Sequence, residues 1–448
     1  MPAGGGLLQL VAQGKQDVFL TGNPQVSFFK MVYRRHTNFA TESQAMYFDG
    51  TPNFGQRITC LVPRRGDLLG PIYLDITLPR LTRNDASNTA VSYVNGIGNA
   101  IIQEITFEVG EQEIDRQTGT WMDIWAQLTT PAGQRDAYNS LIGRVDTYTP
   151  PNLIPGVNSP GLRLMVPLQF FFCRNPGLYL PLLALQYHPI RINITLAPLS
   201  KLYYNPSPPL PTPDVTCPPD AATYLKPSSI TNIMLWGDYV YLDSEERRRF
   251  VSTSHEYLIE QVQYTPPMSV LARQQTVNVK VDFNHPIKEF IFVAQRDYMQ
   301  QINEPFNYSN LAIGEDTAGS VLNTYLNDDQ PRTDLISTAV LQLDGYDRFQ
   351  VREADYFSTY QPYRYHTTTP INNFIYVYSL ALRPEDAQPS GTLNASRIDS
   401  INWQITMNPL LDMPSVTPNR GNCFIRVYAT NYNVFRVVNG YGGLLFTI

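Results

Sequence analysis

Eight prolines crowd residues 205–227, NPSPPLPTPDVTCPPDAATYLKP, near the middle of a 448-residue chain: Pro206, Pro208, Pro209, Pro211, Pro213, Pro218, Pro219 and Pro227. Proline lacks an amide hydrogen and clashes with the preceding helical turn. Such a stretch can neither continue a helix nor pair inside a central strand. It reads as a semi-rigid, extended linker. Single cores stop growing at about 250–300 residues, so a division into at least two domains is expected. Cutting at the linker leaves two pieces of roughly 200 residues, each the size of one all-β domain. The predicted organisation is an arm at 1–26, a first domain at 27–204, the linker at 205–227 and a second domain at 228–448.

Both pieces carry strand periodicity. In 101–109, Ile101, Ile105, Phe107 and Val109 share one face against Glu104, Thr106 and Glu108, and Gly110 offers a turn before a short return at 112–115. Ile190, Ile192, Ile194 and Leu196 alternate with Arg191, Asn193 and Thr195, as Ile401, Trp403, Ile405 and Met407 do with Asn402, Gln404 and Thr406. Residues 374–382 are apolar on both faces, which predicts a central strand covered on both sides. Helices are few. Thr120 to Asp123 resembles a capping box, with Trp121, Trp125 and Leu128 on one helical face. The segment DSEERRRF at 243–250 places acids first and arginines last, matching the helix dipole. No tandem repeat of 20–50 residues is present; a longer duplication is compatible with two strand-rich halves.

Charged residues make up only 16% of the chain and aromatics 12%. A weakly charged, tyrosine-rich surface suits wide protein contacts. The net charge of −6 argues against wrapping nucleic acid, which calls for a basic face. The basic clusters Arg34-Arg35, Arg64-Arg65 and 247–249 read as inter-subunit or helix-terminal pairing rather than as an anion site. Cys60, Cys173, Cys217 and Cys423 lack CxxC spacing, which fits a reducing compartment and suggests neither a zinc site nor a disulfide scaffold. No basic region precedes the apolar residues 7–12, and no apolar run reaches the roughly 18–20 residues of a membrane span. A protein made in a cytoplasm-like space is the expectation.

Catalytic and cofactor motifs are missing. GxxxxGK[ST], GxGxxG after a strand, HExxH and GxSxG do not occur, and His36, His188, His255, His285 and His366 are scattered. Asp344 and Asp347 sit in LQLDGYDRF, where the glycine predicts a turn rather than an acid–base pair. No catalytic residue, cofactor site or metal site is assigned. Three N-x-[ST] sequons occur. Asn193 falls mid-strand. Asn307 falls in the long polar stretch 300–334, read as an exposed loop, and Asn394 follows a Pro-Ser-Gly turn, so Asn307 and Asn394 are the glycosylation candidates.

Longer phrases are more specific. They are QDVFLTGNPQVSFFKMVYRRHTNFA from Gln16, EVGEQEID followed by TGTWMDIW from Glu108, and LLALQYHPIRINI from Leu182. YVYLDSEERRRFVSTSHEYLIEQ starts at Tyr239, YVYSLALRPEDAQPSGTLNASRID at Tyr376 and YATNYNVFRVVNGYGGLLF at Tyr428. In this order and spacing the chain resembles the major capsid proteins of nucleocytoplasmic large DNA viruses, over nearly its whole length. The resemblance implies an all-β fold of two tandem eight-stranded antiparallel jelly rolls with a few short helices in loops. It further implies a homotrimer presenting six similar lobes as a pseudo-hexagonal capsomer, which tiles an icosahedral shell over an internal membrane. The partners implied are neighbouring trimers, minor capsid proteins and the inner membrane face, reached through the arm at 1–26, with no direct nucleic acid contact. Residues 144–162 and 297–334 are the candidate outward-facing or trimer-clasping loops. Two other readings stay open on the residues alone: a β-sandwich carbohydrate-binding protein using its tyrosines, and a two-domain glycosidase, which needs a carboxylate pair across a cleft.

Overall fold

The computed structural model describes residues 4–12, 14–15, 21–82, 92–144, 161–204, 225–226, 228–271, 274–301, 303–309, 334–370, 374–408 and 422–447. The chain forms two compact units, Met1–Asn38 and Phe39–Ile448. The first unit therefore runs twelve residues beyond the arm predicted at 1–26. It contains α1 (Gly4–Val11), so the Gly4-Gly5-Gly6 start lies within a helix rather than in an unfolded tail. Leucines supply the propensity that the glycines lack. Leu7, Leu8, Leu10 and Val11 are all exposed.

Among the described residues, the second unit contains sixteen framework strands in two sets of eight, with a few shorter strands beside them. The first set is β1 (Phe39–Met46), β2 (Arg57–Leu61), β3 (Leu68–Leu78), β4 (Ile102–Val109), β5 (Gln112–Gln117), β6 (Leu162–Pro167), β7 (Ile190–Leu196) and β8 (Asn232–Leu242). They form two antiparallel four-stranded sheets, ordered β1-β8-β3-β6 and β2-β7-β4-β5. The second set is β9 (His255–Tyr264), β10 (Thr276–Val281), β11 (Pro286–Arg296), β12 (Ile336–Leu343), β13 (Tyr346–Asp347), β14 (Tyr376–Ser379), β15 (Ile401–Met407) and β16 (Cys423–Val438). Their sheets run β9-β16-β11-β14 and β10-β15-β12-β13. Adding eight to every number in the first pair of sheets gives the second pair. Each set is a jelly roll, and the chain contains the same topology twice. Even the hairpins match: Gly110 and Glu111 turn β4 into β5, and Asp344 and Gly345 turn β12 into β13, all four with positive φ. That is the two-residue geometry that suits the right-handed twist of paired strands.

The domain boundary differs from the prediction. β8 lies beyond the proline-rich stretch yet sits in the first roll, between β1 and β3. Ile233, Leu235 and Tyr239 of β8 are buried in the first core. The first roll thus ends at Leu242, because without β8 the β1-β8-β3-β6 sheet would lose the strand that joins β1 to β3. Residues 205–224 and 227 lie outside the described residues.

Alternation decides which side of each strand enters a core. In the first roll, Leu74, Ile76 and Leu235 face Ile105, Phe107, Ile192 and Ile194 across the sandwich. In the second, Phe290, Phe292 and Val427 face Val279, Leu341 and Trp403, and Trp403 touches a ring of aromatics. The apolar stretch 374–382 yields a strand of only four residues, and β14 ends the sheet path rather than lying at its centre. Its burial comes from the helical run Tyr356–Tyr360 and Gln361–Tyr365 packed beside it.

Candidate assembly surfaces

Between β5 and β6 the first roll carries α2 (Gly119–Thr129) and α3 (Ala132–Ile142). Thr118 caps α2 by accepting from the Trp121 amide at 3.2 Å, two residues earlier than the predicted capping box. A Cβ on Gly119 would come within 2.0 Å of the Asn99 carbonyl, so only glycine fits where the helix starts. Trp121 and Trp125 stack at 5.5 Å, and Trp121 meets Tyr428 at 5.4 Å. Tyr428 pairs with Ile291, one step from the inward pair Phe292 and Val427, so it points away from the second core. The helix of the first roll therefore covers the outer face of the β9-β16-β11-β14 sheet. The contact is reciprocal at its edge, where Phe171 packs on Phe435 at 6.3 Å. The Val262 amide donates to Asp115 at 3.2 Å. Burial pushes the Asp115 carboxyl up to about 6, although Gln117, the Val262 amide and Arg174 favour its charge.

Beside Trp125 lies a buried ionic cluster. Lys288 meets Glu260 at 2.6 Å and donates to the Pro384 carbonyl at 2.6 Å. Arg174 meets the same Glu260 at 3.1 Å and lies 4.4 Å over the Trp125 ring. His366 stands between two carboxylates, Glu289 at 3.2 Å and Glu385 at 2.9 Å, and its ring meets Trp125 edge-on. Burial pulls the His366 pKa down, but the charges and hydrogen bonds of Glu289 and Glu385 outweigh it and hold the value up at about 9. Burial likewise opposes ionisation of Glu289, yet His366, Lys288 and a hydrogen bond from Thr430 hold it below the ordinary carboxylate value. The side chains of His366, Glu289 and Lys288 have no solvent exposure. The cluster ties the sheet of the second roll to the helix-bearing side of the first. Among the described residues no His/Cys/Asp/Glu group has the arrangement of a metal site.

Among the described residues, two outer surfaces lack such a cover. On the first roll, Tyr73 and Trp236 are cross-strand partners on the outer face of β3 and β8 and stack at 6.5 Å. On the second roll, the helical run that follows β13 exposes Tyr360 and Tyr363, at 49% and 77%, and with Asp355, Tyr356 and Thr359 they line an open depression.

The sequon Asn307 is buried rather than on an exposed loop. Its amide donates to Glu304 at 2.6 Å, and its oxygen accepts from the Ser309 hydroxyl at 2.7 Å. Nearby Asn303 donates to the carbonyls of Ser200 and Tyr203, so residues 303–309 are fastened to the first roll. Residues 310–333 and 145–160, most of the two loop candidates, lie outside the described residues. Asn394 is exposed at an edge strand, and Asn193 is buried in β7. Asp344 and Asp347 shape the hairpin, accepting from the Ser400 amide and from Gln342. Arg64 donates to the carbonyls of Gln186 and His188, and Arg247 pairs with the buried Asp67 at 2.9 Å. The cluster around His366 went unread in the sequence; its signal is Lys288-Glu289 ahead of the apolar run Phe290 to Ala294 in the strand PIKEFIFVAQR.

Residues 27–243 match the family described as the major capsid protein N-terminus, and residues 246–443 match the family described as the large eukaryotic DNA virus major capsid protein. The junction of the two matches falls just after β8. The chain is 38% identical to the major capsid protein of Pyramimonas orientalis virus, with 99% of this chain and 100% of the relative covered. It is 34% identical to that of Paramecium bursaria Chlorella virus 1, with 99% of each covered. Against the quasi-atomic model of the PBCV-1 virus capsid the TM-score is 0.74 at 30% identity, covering 94% of this chain and 100% of that one. The Faustovirus major capsid protein shares the fold, with a TM-score of 0.73 at 13% identity over 95% of this chain and 94% of that one.

Proposed function

The chain belongs to the major capsid proteins of large eukaryotic DNA viruses, and from that premise we propose that it works as a homotrimer whose six jelly rolls form one pseudo-hexagonal tile of an icosahedral shell. It is a structural subunit of the virion shell; its relatives are capsid proteins, not enzymes. The observation that carries the trimer is the repetition of one strand order at an offset of eight. Three copies of a two-lobed chain present six similar lobes. A six-fold neighbourhood can then be tiled by a three-fold particle. Both rolls are closed sandwiches with short edges, and the α2 junction locks them into one stiff plate.

Native mass measurement at micromolar concentration tests the reading. A trimer is the expected species, and a stable monomer overturns it. The shell would surround an internal membrane, with subunits made in the host cytoplasm; the free thiols Cys60, Cys173 and Cys423 fit a reducing compartment. The exposed leucines of α1 fit a partner beneath the shell, either a minor capsid protein or the membrane face. Deleting residues 2–15 should leave trimerisation and melting unchanged but impair shell assembly or attachment of the inner layer. Normal assembly by the deletion would remove that role. Of the two glycosylation candidates, exposure favours Asn394 over Asn307. Peptide mass spectrometry of virions showing sugar on Asn307 would reverse this.

A further inference from the structure

We propose that the first unit binds the surface of an anionic lipid bilayer, with residues 28–35 as its anchor and α1 as a second, weaker contact. The proposal rests on the reading of the arm given above and commits it to one of the two partners named there.

Residues 28–35 read FFKMVYRR. Phe28, Phe29, Met31, Val32 and Tyr33 are all exposed, Phe29 completely. Folded chains leave scattered apolar side chains in water, but a contiguous exposed run marks a contact surface. The backbone turns at 28–30 and then runs irregularly through 31–38, in neither helix nor strand. It therefore presents no fixed stripe or ladder for a protein groove to read. A bilayer interface takes apolar side chains without demanding such a shape.

The charges decide the kind of surface. The unit carries Lys15, Lys30, Arg34 and Arg35 against the single acid Asp17, a formal charge of +3. The whole chain carries −6, so residues 39–448 carry −9. An anionic surface attracts the first unit and repels the rest, which confines the contact to the arm. Lys30, Arg34 and Arg35 are exposed beside the apolar run. Their charged heads would reach lipid phosphates while their alkyl stems and the neighbouring rings enter the headgroup boundary. The ring of Tyr33, apolar with a hydroxyl tip, favours the same depth. α1 adds Leu7, Leu8, Leu10 and Val11, exposed as well, on eight residues without a charge. A helix that short is marginal in water, and an apolar interface would hold it. Among the described residues no helix is long and apolar enough to cross a membrane, so the contact is peripheral. One arm with few cations binds weakly; several arms on one particle bind together.

The test uses the full chain and vesicles of phosphatidylcholine, with or without about one-third phosphatidylserine. Flotation should show at least about tenfold tighter binding to the anionic vesicles. Raising salt from about 0.1 to about 0.5 M should remove most of that difference. Phe28→Ser with Phe29→Ser, and separately Arg34→Glu with Arg35→Glu, should each lower binding at least about tenfold. Deleting residues 2–15 should lower it less than either pair does. Both pairs are exposed, so melting should stay that of the wild type. Equal binding to the two vesicles, or binding that survives both double variants, overturns the proposal. A wild-type chain that ignores lipid, while the 2–15 deletion still impairs attachment of the inner layer, also overturns it and leaves a minor capsid protein as the arm's partner. Vesicle binding as expected, with normal assembly by the deletion, supports the lipid contact and removes only the arm's role in assembly.

Discussion

The two rolls share one strand order but differ in what covers their sheets. In the first roll, the α2 crossover leaves its own sandwich and packs Trp121, Ile124, Trp125 and Leu128 against the outer face of the β9-β16-β11-β14 sheet of the second. In the second roll, the matching crossover stays beside its own β14 and leaves tyrosines in solvent. The interiors differ too. The first core is largely aliphatic, while the second is built around Trp403 with Phe290, Phe292, Phe357 and Tyr378 in ring contact. The buried ionic cluster of Lys288, Glu289 and His366 belongs to the second roll and faces the helix of the first. A duplicated fold in one chain therefore acquires two unlike halves at the point where one copy is used to join them.

The sharpest way to break this comparison is to remove the anchor. Trp121→Ala takes a fully buried ring from between the rolls. Large-to-small changes of this kind cost about 3–5 kcal/mol, and melting of the monomer should report the loss. Tyr363→Ala, on the exposed crossover of the second roll, should alter the same melt by less than about 0.5 kcal/mol, as surface changes do. Equal losses from the two variants would show that the crossovers are not used differently.

The ionic cluster gives the next largest effect. Replacing Glu289 with Gln leaves His366 and Lys288 short of a buried counter-charge, at a cost on the order of 3 kcal/mol near neutral pH. The pH profile carries the sign. His366 is held at about 9, above the ordinary 6.5. Its contribution is thus complete below about 6.5 and is lost as pH rises through 9. Glu289 is held below the ordinary 4.5. Its contribution is present above about 4.5 and is lost as pH falls through its lowered value. Denaturant midpoints of the native chain should therefore fall off on both sides of a plateau between these ordinary values. Glu289→Gln should shrink both arms, with Glu385 still supporting part of the alkaline one. An alkaline arm of unchanged size in that variant would assign the titration to another group.

Much of this architecture was legible in the sequence, for a physical reason. Strands β7 and β15 come out with the limits that their alternation marks, because a period of two with β-branched residues inward leaves one choice of face. Trp121, Trp125 and Leu128 share a buried face as their spacing indicates, though the periodicity does not say which roll they enter. The domain boundary was misread because proline density marks where regular structure stops, not which sheet the next strand joins. β8 pairs with β1 across nearly two hundred residues, and such pairing leaves no local signal. Asn307 was misread for a similar reason. A polar sequence suggests solvent, but Glu304 and Ser309 satisfy the amide inside the protein. The cluster at His366 joins residues from five separate segments, so only the charged pair inside the strand at 286–296 hinted at it.

The smallest effect tests whether the difference between the rolls is confined to one sheet of each. The seventh strand of each set carries an asparagine on its outer face, Asn193 in β7 and Asn402 in β15. Asn193 is buried; its amide donates to Thr106 at 3.2 Å and to Glu108 at 2.7 Å, and its oxygen accepts from Thr59 at 2.8 Å. Asn402 is half-buried and donates to Gln342 at 3.1 Å. These faces are polar networks in both rolls, with no helix like α2 laid over them among the described residues. Water can therefore replace a lost partner, and Glu108 already has an exposed edge toward Arg57. Under that condition Asn193→Ala should cost about 1 kcal/mol, near the net worth of an ordinary hydrogen bond, and Asn402→Ala about half of that. Chemical denaturation of the two single variants resolves the difference, and each should trimerise as wild type does. A loss of 3 kcal/mol or more at Asn193 would be the penalty of a buried partner left unsatisfied. It would mean that the outer face of the β2-β7-β4-β5 sheet is also covered, and that the two rolls differ on both of their sheets.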